Sequence, residues 1–190
     1  MEQKNVRYLA QGAMIAALYV AATYFSRLLG IADGAVQFRL SEALTVLPAF
    51  TPAAVPGLAI GCFIANIGSP YGIVDILSGT LATLLAALAT RGLRGVRVRG
   101  IPVLAPVPPV LSNGLIVGLF VTMMNEAGKL IPQQFTFAVF GSVAASVALG
   151  ELAVCVGLGL PLMIAVKKAG VQKIFPQEES TASHRQSEEK

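Results

Sequence analysis

The stretch from Ala43 to Val74, ALTVLPAFTPAAVPGLAIGCFIANIGSPYGIV, decides how this chain folds. It carries no charge from end to end, and it is too long for a single membrane-crossing helix, which takes about 20 apolar residues. Pro48, Pro52 and Pro56 break its middle, where each ring removes a backbone donor and crowds the turn before it. Two short helices near 40–50 and 53–67, turning at the prolines, account for the stretch. A re-entrant loop is the alternative.

The flanking sequence constrains the stretch by parity, and the hairpin is the first reading with the re-entrant loop as runner-up. Charge-free runs give one helix near 8–28 and another near 72–90. A third, over 100–125, is entered through Pro102, Pro106, Pro108 and Pro109, which suit a helix start better than its middle. A long one from about Phe135 to Val166 is interrupted only by Glu151. Bases concentrate on the cytoplasmic side of membrane proteins, which assigns Lys4 and Arg7, the cluster Arg91, Arg94, Arg97 and Arg99, and Lys167, Lys168, Lys173, Arg185 and Lys190 to one side. Of the fourteen Lys and Arg, only Arg27, Arg39 and Lys129 then fall outside. For the N-terminus and the 91–99 loop to share a side, the stretch between the first helix and the helix at 72–90 must leave and return on the outer face. The hairpin does so.

The fold expected is an all-α membrane protein, six transmembrane helices in a compact bundle, the second and third short and proline-broken. Residues 1–170 form the membrane domain and 171–190 a disordered polar cytoplasmic tail, too poor in apolar side chains to order itself. Both termini are cytoplasmic.

Composition agrees. Hydrophobic residues make up 55% of the 190, charged residues only 13%, and mean hydropathy is +0.71, whereas soluble domains carry roughly 25% charged residues. The net charge of +4 is spread as punctuation between apolar runs, so a nucleic-acid surface is not implied. Cys62 and Cys155 lie far apart in apolar runs and read as buried filler. The single histidine, His184, is in the tail, which removes histidine metal sites and Ser-His or Cys-His pairs from the membrane region. No GxxxxGK[ST] phosphate loop and no Gly-x-Ser-x-Gly elbow occurs. The chain is not expected to be an enzyme or to need a cofactor, and uptake by it requires ion coupling or a partner that supplies energy.

Carboxylates inside a membrane protein are costly and are usually paired or functional. With the sides assigned, Asp33 lies in the first outer loop, Glu42 opens the second helix, Asp75 opens the fourth and Glu126 closes the fifth, with Asn66 at the outer end of the third. A binding site opening outward follows. Plain alternatives stand beside it: helix N-termini favour carboxylates at 42 and 75, Arg39 and Glu42 are three apart and can pair on one helix face, Asn66 can satisfy backbone at a helix end, and Asp33 and Glu126 read better as solvated surface charge. Asn113 and Glu151 fall at similar mid-membrane depth on neighbouring antiparallel helices, either as a structural hydrogen bond or as the floor of a ligand pocket. Ala13, Ala17 and Ala21 recur at four-residue spacing beside Gly12 and Ala16, a pattern that admits close approach of another helix, internal or external.

The residues also carry a resemblance. The segment Val36-Gln37-Phe38-Arg39-Leu40-Ser41-Glu42-Ala43-Leu44-Thr45-Val46-Leu47-Pro48 is followed by Pro56-Gly57, Gly61-Cys62 and Ala65-Asn66, then by Asp75 with Gly79-Thr80-Leu81-Ala82-Thr83. Over roughly residues 5–168 this resembles the QueT family, the substrate-binding (S) components of energy-coupling-factor transporters assigned to queuosine precursors. The Arg-rich 91–99 loop and the polar tail depart from that pattern. The resemblance implies a six-helix protein that captures a vitamin-like 7-deazaguanine on the outer side, and partners in the form of a transmembrane coupling subunit with two cytoplasmic ATPases. It gives Ala13, Ala17 and Ala21 the docking role towards the coupling subunit. Glu42 or Glu151 would take the guanine-like edge, where one carboxylate accepts from a ring N–H and an exocyclic amine together. Asp75 would take the amine or diol, and Asn66 and Asn113 the ring carbonyl and nitrogen, with Arg39 among them. Two other classes compete: a stand-alone ion-coupled carrier with Glu151 as coupling acid, and a non-transporting structural membrane protein. The absence of an evident internal repeat weighs against inverted-repeat carriers.

Overall fold

The computed structural model describes residues 2–33, 36–125 and 130–169. Glu126, Lys129 and the expected tail at 171–190 lie outside the described residues. Among the described residues there are six principal helices and no strands: α1 (Glu2–Leu28), a 3-10 helix (Leu40–Ala49), α2 (Ala54–Asn66), α3 (Gly72–Gly92), α4 (Val107–Thr122) and α5 (Phe137–Lys168). The expected all-helical bundle is what forms. Residues 100–106, expected as the start of the fifth helix, are instead a bridge and turns, because prolines at 102, 106, 108 and 109 let the helix begin only at Val107.

Three helices, Gln3–Leu28, Gly72–Gly95 and Phe137–Lys168, are long and apolar enough to cross a membrane; Leu40–Ala49, Ala54–Asn66 and Val107–Thr122 are shorter. The polarity of the bundle is inverted relative to a soluble protein. Its outer surface shows Leu77, Leu81, Leu85 and Leu88 of α3 and Leu149 and Leu152 of α5, while Thr23, Ser41, Thr45, Ser78, Thr83 and Thr90 are buried. Large apolar side chains outward and small or hydroxylated ones inward is the pattern lipid demands, since packing rather than hydrophobic expulsion brings the helices together. The chain is a membrane protein.

Small residues line the seams. A Cβ on Gly57 would stand 2.7 Å from the Gly12 carbonyl oxygen, and one on Gly61 would stand 2.8 Å from Cβ of Tyr19, so α1 and α2 touch along backbone. Gly118 meets the Ala144 backbone at 2.9 Å in the same sense, joining α4 to α5.

The ambiguous stretch resolves into a hairpin. The 3-10 helix Leu40–Ala49 has ten residues and, at about 2 Å rise per residue, spans about 20 Å; α2, with thirteen, covers a similar depth at about 1.5 Å each. At one end of the bundle, Arg39 meets Asn66 and Asp75. At the other, Arg91 donates to the Pro48 carbonyl at 3.4 Å and Thr51 to Gln11 at 3.3 Å. The hairpin therefore runs from a polar end to a basic end and back. Its first limb is central: Ser41, Glu42, Ala43, Thr45, Val46, Pro48 and Ala49 are all buried.

Candidate binding site

The polar end is organised by Arg39. Its guanidinium lies 3.2 Å from the Asp75 carboxylate and 3.5 Å from Asp33, and it donates to the Asn66 side-chain oxygen at 3.4 Å. Asn66 in turn donates to the Asp75 carbonyl at 3.1 Å, an arrangement allowed by Gly79, whose missing Cβ would stand 2.5 Å from the Asn66 amide nitrogen. Arg39, Asn66 and Asp75 are 6%, 1% and 3% exposed; at that burial the ions persist because they are paired. The pairing of Arg39 with Glu42 on one helix face, weighed from their spacing, is not among the ion pairs formed. Arg39 precedes the 3-10 helix in extended backbone, which turns its side chain towards α3 instead.

Asp33 is not a solvated surface charge either. It accepts from Arg27 Nε at 3.0 Å and faces Arg39, with its side chain 20% exposed. Arg27 also donates to the Ala65 carbonyl at 2.6 Å, so the end of α1, the first loop and the end of α2 are tied together. Tyr71 closes the same corner, its hydroxyl donating to the Asp33 carbonyl at 3.1 Å. Burial and the neighbouring Asp33 carboxylate push the Tyr71 phenol up from its ordinary range, so it stays a donor.

A second group lies deeper. Glu42 Oε1 accepts from the hydroxyl of Tyr19, a residue only 1% exposed. Thr23, one turn along α1, caps the Tyr19 carbonyl at 2.9 Å and reaches Ser41 at 2.8 Å. Glu42 Oε2 is buried with no hydrogen-bond partner. Glu151 of α5 faces Glu42, and the Asn113 amide of α4 is the polar neighbour of both carboxyls. The Cys155 thiol sits 3.5 Å from the Glu42 carbonyl and 3.7 Å from the Glu151 carboxyl, with Thr45 at 3.6 Å. Cys155 is buried, as expected, but in a polar setting.

Two local distortions place this group. Asn113–Val117 and Cys155–Gly159 are π-helical turns, one beginning at Asn113 and the other one turn after Glu151; such turns re-aim side chains and recur at functional sites. Gly150 lets α5 close on the first loop, since a Cβ there would stand 2.1 Å from the Gln37 carbonyl oxygen.

A cavity of about 350 Å³ is lined by Asp33, Gln37, Tyr71, Val121, Ser142, Val143, Ser146 and Val147. Glu151 is one helical turn from Val147 on α5. The six polar residues singled out from sequence thus form two buried groups, Arg39–Asn66–Asp75 and Glu42–Asn113–Glu151, and the cavity's walls come from other residues. Tyr19, Gln37, Tyr71, Ser142 and Ser146 were missed. A lone tyrosine on the Ile15–Ala16–Thr23 face of α1 was a signal; so were the serines, the only two in the apolar run 137–166 and four residues apart on one helix face.

On α1 the two small-residue sets part. Ala16 is buried and Gly12 half-buried against α2, while Ala13, Ala17 and Ala21 are exposed on the opposite face.

Comparison with known proteins places this architecture. No solved structure matches the chain. A curated relative, the queuosine precursor transporter QueT of Lactococcus lactis subsp. cremoris (strain MG1363), is 40% identical over 73 residues, a match that spans 38% of this chain and 43% of the relative's length. The QueT transporter family model matches residues 9–168, which takes in every described helix except the first turns of α1. The chain belongs to the QueT transporter family.

Proposed function

We propose that this chain is the membrane-embedded substrate-binding component of an energy-coupling-factor uptake system, capturing a queuosine precursor of the 7-deazaguanine type from outside the cell. The observation that carries the reading is that Glu42 and Glu151 are both buried and linked through the Cys155 thiol, one Glu42 oxygen unpartnered, and that Val147, one turn from Glu151, lines a cavity of about 350 Å³. The name of the Lactococcus relative supplies the ligand class. All six helices cross the membrane, both termini are cytoplasmic, and the polar end faces outward; the bases at 91–99 and 167–168 then lie inside.

Asp75 and Asn66 are engaged with Arg39, and their role is to hold the mouth of the site in shape. Glu42, Glu151 and Asn113 do the recognition. A 7-deazaguanine presents a ring N–H and an exocyclic amine side by side, and a carboxylate with a free oxygen accepts from such a pair in charge-assisted hydrogen bonds. A cationic aminomethyl substituent is stabilised by the second carboxylate. The valines at 121, 143 and 147 pack the faces of the flat ring, and Ser142, Ser146, Gln37 and Tyr71 supply polar contacts at its rim.

Energy comes from other chains. The exposed Ala13–Ala17–Ala21 face is the surface on which the transmembrane coupling subunit, carrying two cytoplasmic ATPases, docks at close range. The test is mass spectrometry of small molecules retained by the detergent-purified chain, repeated on Glu42→Ala and Glu151→Ala. A 7-deazaguanine on the parent and its loss from both variants is expected. An unrelated retained molecule, or both variants holding it as the parent does, contradicts the reading.

A further inference from the structure

The basic end is more ordered than a topogenic cluster requires. Its loop, Arg94-Gly95-Val96-Arg97-Val98-Arg99-Gly100, is a tight hairpin: Val98 and Ile101 exchange hydrogen bonds at 2.9 and 3.0 Å, and the turn between them places Arg99 at φ 51° and Gly100 at φ 77°. A left-handed conformation is uncommon for an arginine. Lys167, from the end of α5, donates to the Arg99 carbonyl. Within the loop, Arg97 Nε donates to the Arg94 carbonyl at 2.9 Å and Arg94 to the Arg91 carbonyl at 3.3 Å.

Backbone carbonyls therefore hold cations from two elements near one another, against their mutual repulsion. Among the described residues, none of Arg94, Arg97, Arg99, Lys167 and Lys168 has an acidic partner; every ion pair found is at the opposite end. Between and beside the arginines, Val96, Val98, Val103 and Leu104 are exposed. Cations fixed in place without counterions, interleaved with apolar side chains at the edge of a lipid-exposed bundle, match the boundary between headgroup phosphate and acyl chain.

We infer that the 94–100 hairpin and the end of α5 form a binding site for the phosphate of an anionic phospholipid, the guanidinium forks of Arg94 and Arg97 and the ammonium of Lys167 contacting the headgroup while the valines contact its chains. Guanidinium matches phosphate with paired donors. The site is remote from the cavity and independent of which solute the cavity takes.

The test uses the whole chain in nanodiscs of equimolar phosphatidylglycerol and phosphatidylcholine, with retained lipids counted by native mass spectrometry. The parent is expected to hold phosphatidylglycerol over phosphatidylcholine by at least ~tenfold, at about fivefold per basic residue engaged. The triple variant Arg94→Gln, Arg97→Gln, Lys167→Gln should remove most of that preference, leaving no more than the about fivefold that Lys168 supplies. Lys168→Gln, at an exposed side chain on the last turn of α5, should lower it by about fivefold without disturbing the fold. Lys4→Gln with Arg7→Gln, on the exposed start of α1, should leave it unchanged.

Equal retention of both lipids by the parent overturns the inference. So does an unaltered ratio in the triple and Lys168 variants, or an equal fall in the Lys4/Arg7 variant, which would trace the attraction to net charge. Stabilisation of the protein by inorganic phosphate in phosphatidylcholine discs, to the extent phosphatidylglycerol gives, would assign the site to a soluble phosphate and also overturn it.

Discussion

Glu42 has one oxygen held by Tyr19 and one buried without a partner, and the proposed function uses this asymmetry to make it the recognition group. Removing the Tyr19 hydroxyl frees the carboxylate to rotate and strands its second oxygen. Hydrogen bonds to charged groups contribute about 1.5 to 3 kcal/mol, so Tyr19→Phe should weaken ligand binding by roughly ten- to a hundredfold in a titration of the purified protein, with the fold intact by circular dichroism. Unchanged affinity would remove Tyr19 from the site. Arg39 acts differently. It neutralises Asp75, and breaking a buried pair by deleting one member costs about 3 to 5 kcal/mol. Arg39→Met should therefore lower the melting temperature in detergent, and adding Asp75→Leu should restore much of the loss; a double variant no more stable than the single would show that the pair is not what holds this end. These residues were legible as polar interruptions of apolar runs. Their pairing was not, because spacing along one helix suggests Arg39 with Glu42, whereas the partner of Arg39 comes from a helix thirty-six positions on.

The same limit applies to the elements. Proline spacing and the parity of the basic loops favour a hairpin of two short helices near 40–50 and 53–67 over a re-entrant loop, and helices Leu40–Ala49 and Ala54–Asn66 are what form. That its first limb winds as a 3-10 helix follows from burial on nearly all sides and from Pro48 within it, which apolar periodicity does not encode. The π turns, one beginning at Asn113 and the other one turn after Glu151, are not encoded by that periodicity either. Gly150 was legible only as another small residue; its place against the Gln37 carbonyl makes it the point where α5 meets the first loop. Gly150→Ala should cost about 1 to 3 kcal/mol through overpacking and weaken ligand binding, because relief of the clash moves Glu151. A melting temperature and affinity equal to the parent's would contradict that placement.

For the whole molecule, the proposed function gives the two faces of α1 different tasks, one towards the site and one towards the coupling subunit. Tyr19 and Thr23 grip the centre of the bundle, while Ala13, Ala17 and Ala21 stay exposed. Ala17→Leu should leave ligand binding by the isolated chain as it is and abolish uptake in cells; loss of binding instead would give that face a structural role. The central claim is that the chain captures its ligand alone and moves it only with an ATP-driven partner. The direct measurement is accumulation of a labelled 7-deazaguanine in proteoliposomes, with proton or sodium gradients imposed, with and without the coupling subunit and ATPases. Binding without accumulation by the chain alone, and ATP-dependent accumulation once the module is present, is the expected result. Gradient-driven accumulation by the chain alone would contradict the account.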